Sequence, residues 1–286
     1  MNPLRIFPTV ALGIWVALGH VTTTWADETL VFGIHPFMRP TELLRRFSPL
    51  TEALAKAISH PIRIRITSDY DDQIRLIGQN QIDLAYMGPV PYVRMVARHG
   101  LKPILGKQMV HGQGTFQGVI ITRRDSAIQT LPELIGKRFA FGDPNSTMSH
   151  LVPRAMLLEA GVPVEKLARF DHLSNHGNVA LGVLMGLFDA GAIKESVFLE
   201  YQERGLTALA WTPRIANHLF VTRSDLPTDR IETLRTALLQ MPTTPEGLQL
   251  LKNVDHAITG IEPGQDDEFS ALRTTLRLLD QAGVTP

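Results

Sequence analysis

Short apolar runs alternate with stretches of helical periodicity along the first part of the chain. Residues 29–34, 62–66 and 82–87 are predicted as strands. Between the first two, one face of a predicted helix is formed by Leu43, Leu44, Phe47, Leu50, Leu54 and Ala57. A further helix is predicted from a cap at Ser68–Asp72 to Gly78. Alternating strands and helices are typical of an α/β domain with a parallel sheet, which binds ligands at the carboxyl ends of its strands.

A second series of the same kind occupies the rest of the chain. Its predicted strands cover residues 119–122, 139–141, 188–193, 206–211 and 219–221, and amphipathic helices are predicted over 228–241 and 268–282. The segments 82–87 and 188–193 share one design, since each follows a helix and carries an aspartate near its start. Two similar lobes, crossed by extended strands near 119–122 and 219–222, predict a ligand cleft with a hinge.

A turn after the predicted strand 139–141 leads into a helix. The turn is Gly142-Asp143-Pro144-Asn145, and hydroxyls follow at Ser146, Thr147 and Ser149, where the helix begins. Hydroxyls and backbone N–H groups at a helix start can bind an anion without any basic residue. The alternative is that Ser146 or Thr147 serves only as the helix N-cap.

The N-terminus predicts secretion. Arg5 is the only charged residue before Asp27, and the segment from Ile6 to Val21 is largely apolar. Small residues stand before Asp27 at the two positions that a signal peptidase recognises, so residues 1–26 are predicted as a cleaved signal peptide. The alternative is an uncleaved membrane anchor, for which the apolar run is short and interrupted.

Composition and charge narrow the function further. Lys and Arg number 28, and Asp and Glu also number 28, so no basic field indicates nucleic-acid binding. There is no cysteine, which excludes disulfides, thiolate chemistry and a lipid-attached N-terminal cysteine. A secreted chain of this size without disulfides must be stabilised by its core, as is typical of a bacterial periplasmic protein.

A set of short motifs occurs in one order along residues 29–269. The motifs are Ser68-Asp69-Tyr70, Leu84-Ala85-Tyr86-Met87-Gly88-Pro89, Asp143-Pro144-Asn145-Ser146-Thr147, His176 with Val179-Ala180, Asp189-Ala190-Gly191 and Glu195. The ordered set resembles the phosphonate- and phosphite-binding periplasmic proteins of ABC transporters, the PhnD-like family. The resemblance implies an α/β, type II periplasmic binding-protein fold, in which two crossover strands join two lobes around a ligand cleft. On this plan residues 27–121 and 219–286 form the first lobe, and residues 122–218 form the second.

The resemblance also implies which side chains bind the oxyanion. Ser146 and Thr147 supply donors from the second lobe, Tyr70 donates its phenol from the first, and His176 binds another oxygen. Glu195 accepts a hydrogen bond from a protonated ligand oxygen or a substrate amine. Further candidate ligands are Tyr86, Met87, Ser149, Asn217 and His218. By its spacing alone, Tyr70 has the alternative role of covering a helix end.

The chain departs from the family pattern at two places. Met148 and Ser149 stand where the family commonly has Ser-Gly, so one hydroxyl is lost at 148 and another is gained at 149. Met87 stands where an aromatic residue is expected, with Tyr86 one place earlier. Because side chains alternate along a strand, Tyr86 and Met87 should point to opposite faces.

The predicted function is capture of a small phosphorus oxyanion by a monomeric periplasmic protein that delivers it to an ABC permease in the inner membrane. One alternative is presentation of the ligand to a membrane histidine kinase. Another is a secreted hydrolase that uses Ser146, His176 and Asp189, although no Gly-x-Ser-x-Gly elbow surrounds the serine. No cofactor is predicted, and the histidine spacing predicts no metal site.

Overall fold

The computed structural model of the chain describes residues 29–284, so the predicted signal peptide lies outside the described residues. The strands of that range are β1 (Leu30–Ile34), β2 (Ile62–Ile66), β3 (Leu84–Met87), β4 (Ile104–Val110), β5 (Thr115–Phe116), β6 (Gly118–Arg123), β7 (Arg138–Phe141), β8 (Arg169–His172), β9 (Ala190–Lys194), β10 (Leu206–Trp211), β11 (Ile215–Ala216), β12 (Leu219–Thr222) and β13 (Ile258–Glu262). The α-helices are α1 (Pro40–Ile58), α2 (Tyr70–Gly78), α3 (Pro89–His99), α4 (Val152–Glu159), α5 (His176–Leu184), α6 (Glu195–Tyr201), α7 (Thr228–Gln240), α8 (Pro245–Val254) and α9 (Ser270–Gln281). Between residues 29 and 284, no helix has the length and apolar character needed to cross a membrane.

Two mixed sheets form the framework of the protein. The first lobe is built on six strands in the order β13-β4-β12-β3-β1-β2, and the second lobe on five in the order β10-β6-β9-β7-β8. In each sheet three strands run parallel, β3-β1-β2 and β9-β7-β8, and the other pairings are antiparallel. Each sheet has a buried apolar layer on both faces, against helices. The predicted two-lobed α/β architecture is confirmed, with antiparallel strands added to its parallel core.

An aspartate before a parallel strand performs the same task in both sheets. Asp83 accepts a hydrogen bond of 2.7 Å from the backbone N–H of Val31, and Asp189 accepts one of 2.8 Å from the backbone N–H of Arg138. Each carboxylate also binds a guanidinium at 2.7 Å, from Arg223 to Asp83 and from Arg138 to Asp189. The design shared by the two segments in the sequence therefore corresponds to a repeated hydrogen-bonding arrangement.

The chain passes between the sheets through a short ladder, and not through the strands predicted near 119–122 and 219–222. Both predicted strands exist, but β6 lies within the five-stranded sheet and β12 within the six-stranded sheet. The ladder is formed by β5 and β11, with Phe116 opposite Ile215 and Thr115 opposite Ala216. Each strand of the ladder is only two residues long, which is the kind of short connection about which two lobes can rotate. The lobe boundaries at residues 121 and 218 stay a prediction.

Two helix starts are capped in the same way, one in each lobe. Asp69 precedes α2, and its Oδ1 accepts a hydrogen bond of 2.7 Å from the N–H of Asp72. Asn175 precedes α5, and its Oδ1 accepts one of 2.9 Å from the N–H of Asn178. A short polar side chain in this position binds an N–H group that has no partner within the helix. The first helical residues are therefore Tyr70 in α2 and His176 in α5.

Candidate functional site

A small pocket lies between the two lobes beside the β5–β11 ladder. The first lobe lines it with His35, Tyr70 and Gly88. The second lobe lines it with Ser146, Thr147, Met148, His176 and Lys194, and the residues at the ladder are Phe116 and His218. The space among these side chains measures about 240 Å³, a volume that includes open solvent. A pocket this small suits an ion with few non-hydrogen atoms.

The turn before α4 places two hydroxyls at the pocket. The N–H of Asn145 donates to Asp143 Oδ1 at 2.7 Å, and the N–H of Ser146 donates to the Asp143 carbonyl at 2.8 Å. Ser146 Oγ accepts a hydrogen bond of 3.2 Å from the N–H of Ser149. The chain then makes a π-helical turn, in which the N–H of Leu151 bonds to the Ser146 carbonyl at 3.1 Å. Ser146 therefore caps the helix and also lines the pocket.

Hydroxyl groups from the two lobes meet at this pocket. The Tyr70 phenol of the first lobe lies close to the Ser146 hydroxyl of the second. Burial raises the pKa of Tyr70 well above its usual value, so the phenol keeps its proton. Thr147 Oγ1 accepts a hydrogen bond of 3.0 Å from the N–H of Val90 in the first lobe. Because Thr147 Oγ1 accepts this bond, the hydrogen of its hydroxyl remains available to an oxyanion.

Lys194, the last residue of β9, places a positive charge at the pocket. Its Nζ donates to Asp255 Oδ2 at 2.9 Å, and Asp255 follows α8 in the first lobe. The two side chains are only 10% and 7% exposed. Burial opposes ionisation of Asp255, but the adjacent ammonium holds the pKa of its carboxyl well below the usual value. The ion pair therefore spans the two lobes in its charged form.

Three buried histidines surround the pocket and are neutral. Burial lowers the pKa of His35 and of His176 to about 3, and the Lys194 charge acts in the same direction. Burial and then Lys194 likewise hold the pKa of His218 well below its usual value. Their rings add hydrogen-bonding groups to the site and no positive charge at pH 7.

Hydrogen bonds assign the ring proton in two of these histidines. His176 Nδ1 accepts from the backbone N–H of Lys194 at 3.1 Å, so the proton is on Nε2. His218 Nδ1 lies 3.1 Å from Asn217 Oδ1, which also accepts from the His218 N–H at 2.8 Å. Since that oxygen is an acceptor, the His218 proton is on Nδ1 and Nε2 is an acceptor beside Gly88. The site thus offers an oxyanion a further donor, and a protonated ligand oxygen an acceptor.

The structure brings Tyr70, Ser146, Thr147, His176 and His218 together at one pocket, as predicted. Their role in binding stays a prediction. Asn217 lies beside the pocket and not in its lining, because its Oδ1 holds His218.

The structure does not place Glu195 in the pocket lining with the other predicted residues. It is the first residue of α6, and its Oε1 accepts a hydrogen bond of 2.9 Å from Gln117 Nε2. The carboxylate faces a neighbouring cavity, which shares Phe116, Lys194 and His218 with the pocket. The cavity and the pocket therefore adjoin each other at these three side chains, and the role of Glu195 in binding stays a prediction.

Three of the further candidates make contacts inside the lobes and do not line the pocket. Tyr86 donates its phenol to Gln108 Oε1 at 2.5 Å in the core of the first lobe. Met87 packs in the apolar layer on the other face of the same sheet, so the expected alternation is confirmed and neither side chain reaches the pocket. Ser149 is fully buried and donates its hydroxyl to the Ala192 carbonyl, so it adds no donor to the lining.

Sequence reasoning missed His35 and Lys194. His35 directly follows β1, and Lys194 ends β9, both parallel strands. The rule that ligands bind at the carboxyl ends of parallel strands marks both positions. The anion site at Ser146 was expected to work without a basic residue, whereas Lys194 adds a cation to it.

Known proteins match this chain over most of its length. A family described as ABC transporter, phosphonate, periplasmic substrate-binding protein matches residues 32–269. The chain is 24% identical over 271 residues to the phosphate-import protein PhnD of Mycolicibacterium smegmatis, covering 86% of this chain and 84% of that protein. It is 25% identical over 215 residues to the probable ABC transporter phosphite binding protein PhnD1 of Prochlorococcus marinus, covering 70% of this chain and 71% of that protein.

Solved structures share the fold. A binding protein component of an ABC phosphonate transporter from Pseudomonas aeruginosa superposes with a TM-score of 0.80 at 21% identity, covering 88% of this chain and 86% of that chain. PhnD1 of Prochlorococcus marinus, in complex with methylphosphonate, superposes with a TM-score of 0.81 at 19% identity, covering 88% of this chain and 98% of that chain. The type II periplasmic binding-protein fold implied by the motifs is confirmed.

Proposed function

We propose a function for this chain, which belongs to the periplasmic substrate-binding proteins of phosphonate ABC transporters: its interlobe pocket captures a small phosphonate-, phosphite- or phosphate-like oxyanion. The observation that carries the proposal is the convergence of donors from both lobes on one small pocket. Tyr70 comes from the first lobe, and Ser146, Thr147 and Lys194 come from the second. Hydroxyls and one ammonium match the several oxygens and the negative charge of such a ligand.

The mechanism is binding with lobe closure and has no covalent step. An oxyanion can contact Tyr70 and Lys194 together only when the two lobes are close. A ligand that binds the closed state better than the open state shifts the population toward the closed state. The β5–β11 ladder provides the hinge for this movement.

The proposed setting is that of the family. We infer that residues 1–26 are removed on secretion and that the remaining chain works as a monomer in the periplasm. The loaded protein then delivers its ligand to an ABC permease in the inner membrane. Loss of ligand uptake on deletion of the coding gene supports transport, whereas intact uptake with a lost transcriptional response to the ligand supports presentation to a sensor kinase.

The geometry does not favour the hydrolase alternative. In a serine triad the histidine donates its Nδ1–H to a carboxylate. Here His176 Nδ1 accepts a hydrogen bond from the backbone N–H of Lys194. Asp189, the carboxylate of that alternative, binds Arg138.

Titration calorimetry on residues 27–286 tests the proposal. We expect at least one of phosphite, methylphosphonate and phosphate to bind, and to stabilise the protein by about 2.7 kcal/mol at a hundredfold excess over its dissociation constant. Replacing Tyr70 by Phe removes one donor hydroxyl and should weaken that binding about tenfold, for a loss of about 1.4 kcal/mol. Failure of all three phosphorus oxyanions to bind, while sulfate binds, would contradict the ligand class.

A further inference from the structure

We infer that Lys194 restricts the pocket to small phosphorus oxyanions without an ammonium group, so that aminoalkylphosphonates are excluded. This selectivity rests on the proposed function of the same pocket and specifies its ligand class. It depends on the positive charge at the pocket, on the positions of the nearby carboxylates and on the residues that line the neighbouring cavity.

The charge at the pocket is positive and is not balanced within the lining. Among the side chains of residues 29–284 that line the pocket, Lys194 is charged and none is acidic. The ammonium has three N–H donors, and the one that binds Asp255 leaves others for a ligand. A second ammonium, brought in on the ligand, would be buried beside the first without a carboxylate of its own, which is unfavourable at low dielectric.

Three carboxylates near the pocket lie outside its lining. Asp255 is paired with Lys194, and Glu195 accepts from Gln117. Asp143 accepts hydrogen bonds from the backbone, and burial raises the pKa of its carboxyl to about 6. An amine on a ligand held within the pocket therefore has no acidic side chain in contact with it.

The neighbouring cavity is lined by two acidic side chains and also by Lys194. The acidic residues are Glu195 and Asp255, and the space measures about 370 Å³ including open solvent. Phe116, Lys194 and His218 line both this cavity and the oxyanion pocket. An alkylammonium chain that extends from the pocket into the cavity would therefore pass close to the Lys194 ammonium.

A matched pair of ligands separates charge from size. Ethylphosphonate and aminomethylphosphonate have the same number of non-hydrogen atoms and differ in one methyl or ammonium group. Calorimetric competition against phosphite or methylphosphonate should show aminomethylphosphonate at least tenfold weaker than ethylphosphonate. Equal affinities, including equal failure of both to compete, would assign the selection to size and overturn the inference.

Two variants test whether Lys194 is the determinant. Lys194→Gln should weaken ethylphosphonate binding at least tenfold and reduce the discrimination against aminomethylphosphonate to less than threefold. The matched control Asp255→Asn keeps the ammonium and removes its partner, so it should retain both oxyanion binding and discrimination. Lys194→Met provides a second uncharged variant, and melting curves establish that each variant is folded.

The outcomes distinguish the inference from the proposed function. If the wild-type protein binds no phosphorus oxyanion, the proposed function itself fails. If it binds them but Lys194→Gln discriminates as strongly as the wild-type protein, only the role of Lys194 is overturned. Equal losses of affinity in Lys194→Gln and Asp255→Asn would likewise overturn it, because the ion pair would then serve lobe closure alone.

Discussion

Thr147 Oγ1 accepts a hydrogen bond of 3.0 Å from the backbone N–H of Val90, so a side chain of the second lobe caps a helix of the first. Val90 lies in the first turn of α3, directly after Pro89. An N–H in this position has no partner within its own helix. The contact therefore replaces a local N-cap by one that exists only when the lobes are together.

Thr147→Val should destabilise the closed arrangement, because the N–H of Val90 loses its acceptor while the size of the side chain is kept. We expect a loss of about 1 kcal/mol, as for removal of a helix N-cap. Thr147→Ser keeps the hydroxyl and is the matched control. Melting curves and the radius of gyration from X-ray scattering measure the effect, and equal behaviour of the two variants would contradict it.

Ser146→Ala should weaken ligand binding, whereas Ser149→Ala should reduce stability, even though the two residues are only three positions apart. Ser146 lines the pocket, so its loss should weaken oxyanion binding about tenfold, or about 1.4 kcal/mol. Ser149 donates to the buried Ala192 carbonyl, so its loss should reduce the free energy of unfolding by about 1–3 kcal/mol with affinity nearly unchanged. Calorimetry and urea unfolding separate the two effects. An equal loss of affinity in both variants would place Ser149 at the ligand instead.

Asp83 and Asp189, which each precede a parallel strand, should contribute unequally to stability. Asp83 and Arg223 are both 14% exposed, whereas Asp189 and Arg138 are 25% and 43% exposed. Solvent weakens the second pair, so Asp83→Ala should cost about 2–4 kcal/mol and Asp189→Ala about half as much. Urea unfolding of the two variants measures these losses. Equal losses would mean that the backbone hydrogen bonds outweigh the arginine pairs.

Stability should fall as the pH decreases below 6.5. The unfolded chain protonates its histidines near pH 6.5, while burial keeps the folded pKa of His35 and His176 at about 3. Each such histidine reduces the free energy of unfolding by up to about 1.4 kcal/mol per pH unit across that window. Asp143 acts in the opposite direction between about pH 6 and its usual 3.8, because the folded carboxyl takes up a proton first.

Urea unfolding at pH 7, 6 and 5 measures this dependence. With His218 as a third buried ring, the histidines outweigh the single carboxyl, so a net loss is expected. His176→Asn removes one titrating group and should reduce the slope. Stability that stays constant between pH 7 and pH 5 would contradict the neutral assignment of these rings.

Local periodicity was sufficient to predict most helices and strands of the first lobe. The pattern around Phe47 and Leu54 predicted α1, and the strict alternation at 62–66 predicted β2 with its observed bounds. It failed for β13, an edge strand that contains Gly260, and for α8, since neither element was predicted between the helices over 228–241 and 268–282. A glycine within a short edge strand weakens the alternating pattern on which such a prediction depends.

The candidate site could be predicted only in part, because its residues are brought together by sheet order. The caps before Tyr70 and His176 are local signals, and both residues reach the pocket. Lys194 and Asp255 are 61 positions apart and meet across two lobes, which no local spacing predicts. The resemblance implied a binding role for Glu195, whereas the residue that lines the pocket is its neighbour in the chain, Lys194.

The position of the β5–β11 ladder also determines how far each part of the protein moves for a given rotation of the lobes. Phe116 belongs to the ladder and His218 follows it closely, and both line the pocket, so a bound ion acts near the rotation axis on a short lever arm. Groups farther from that axis sweep through a larger arc for the same rotation, as between Arg46 and Glu200, which bridge the lobes outside the pocket at 3.6 Å. If the proposed closure takes place, a small displacement at the ion is thereby amplified into a larger displacement at the outer surface of the lobes.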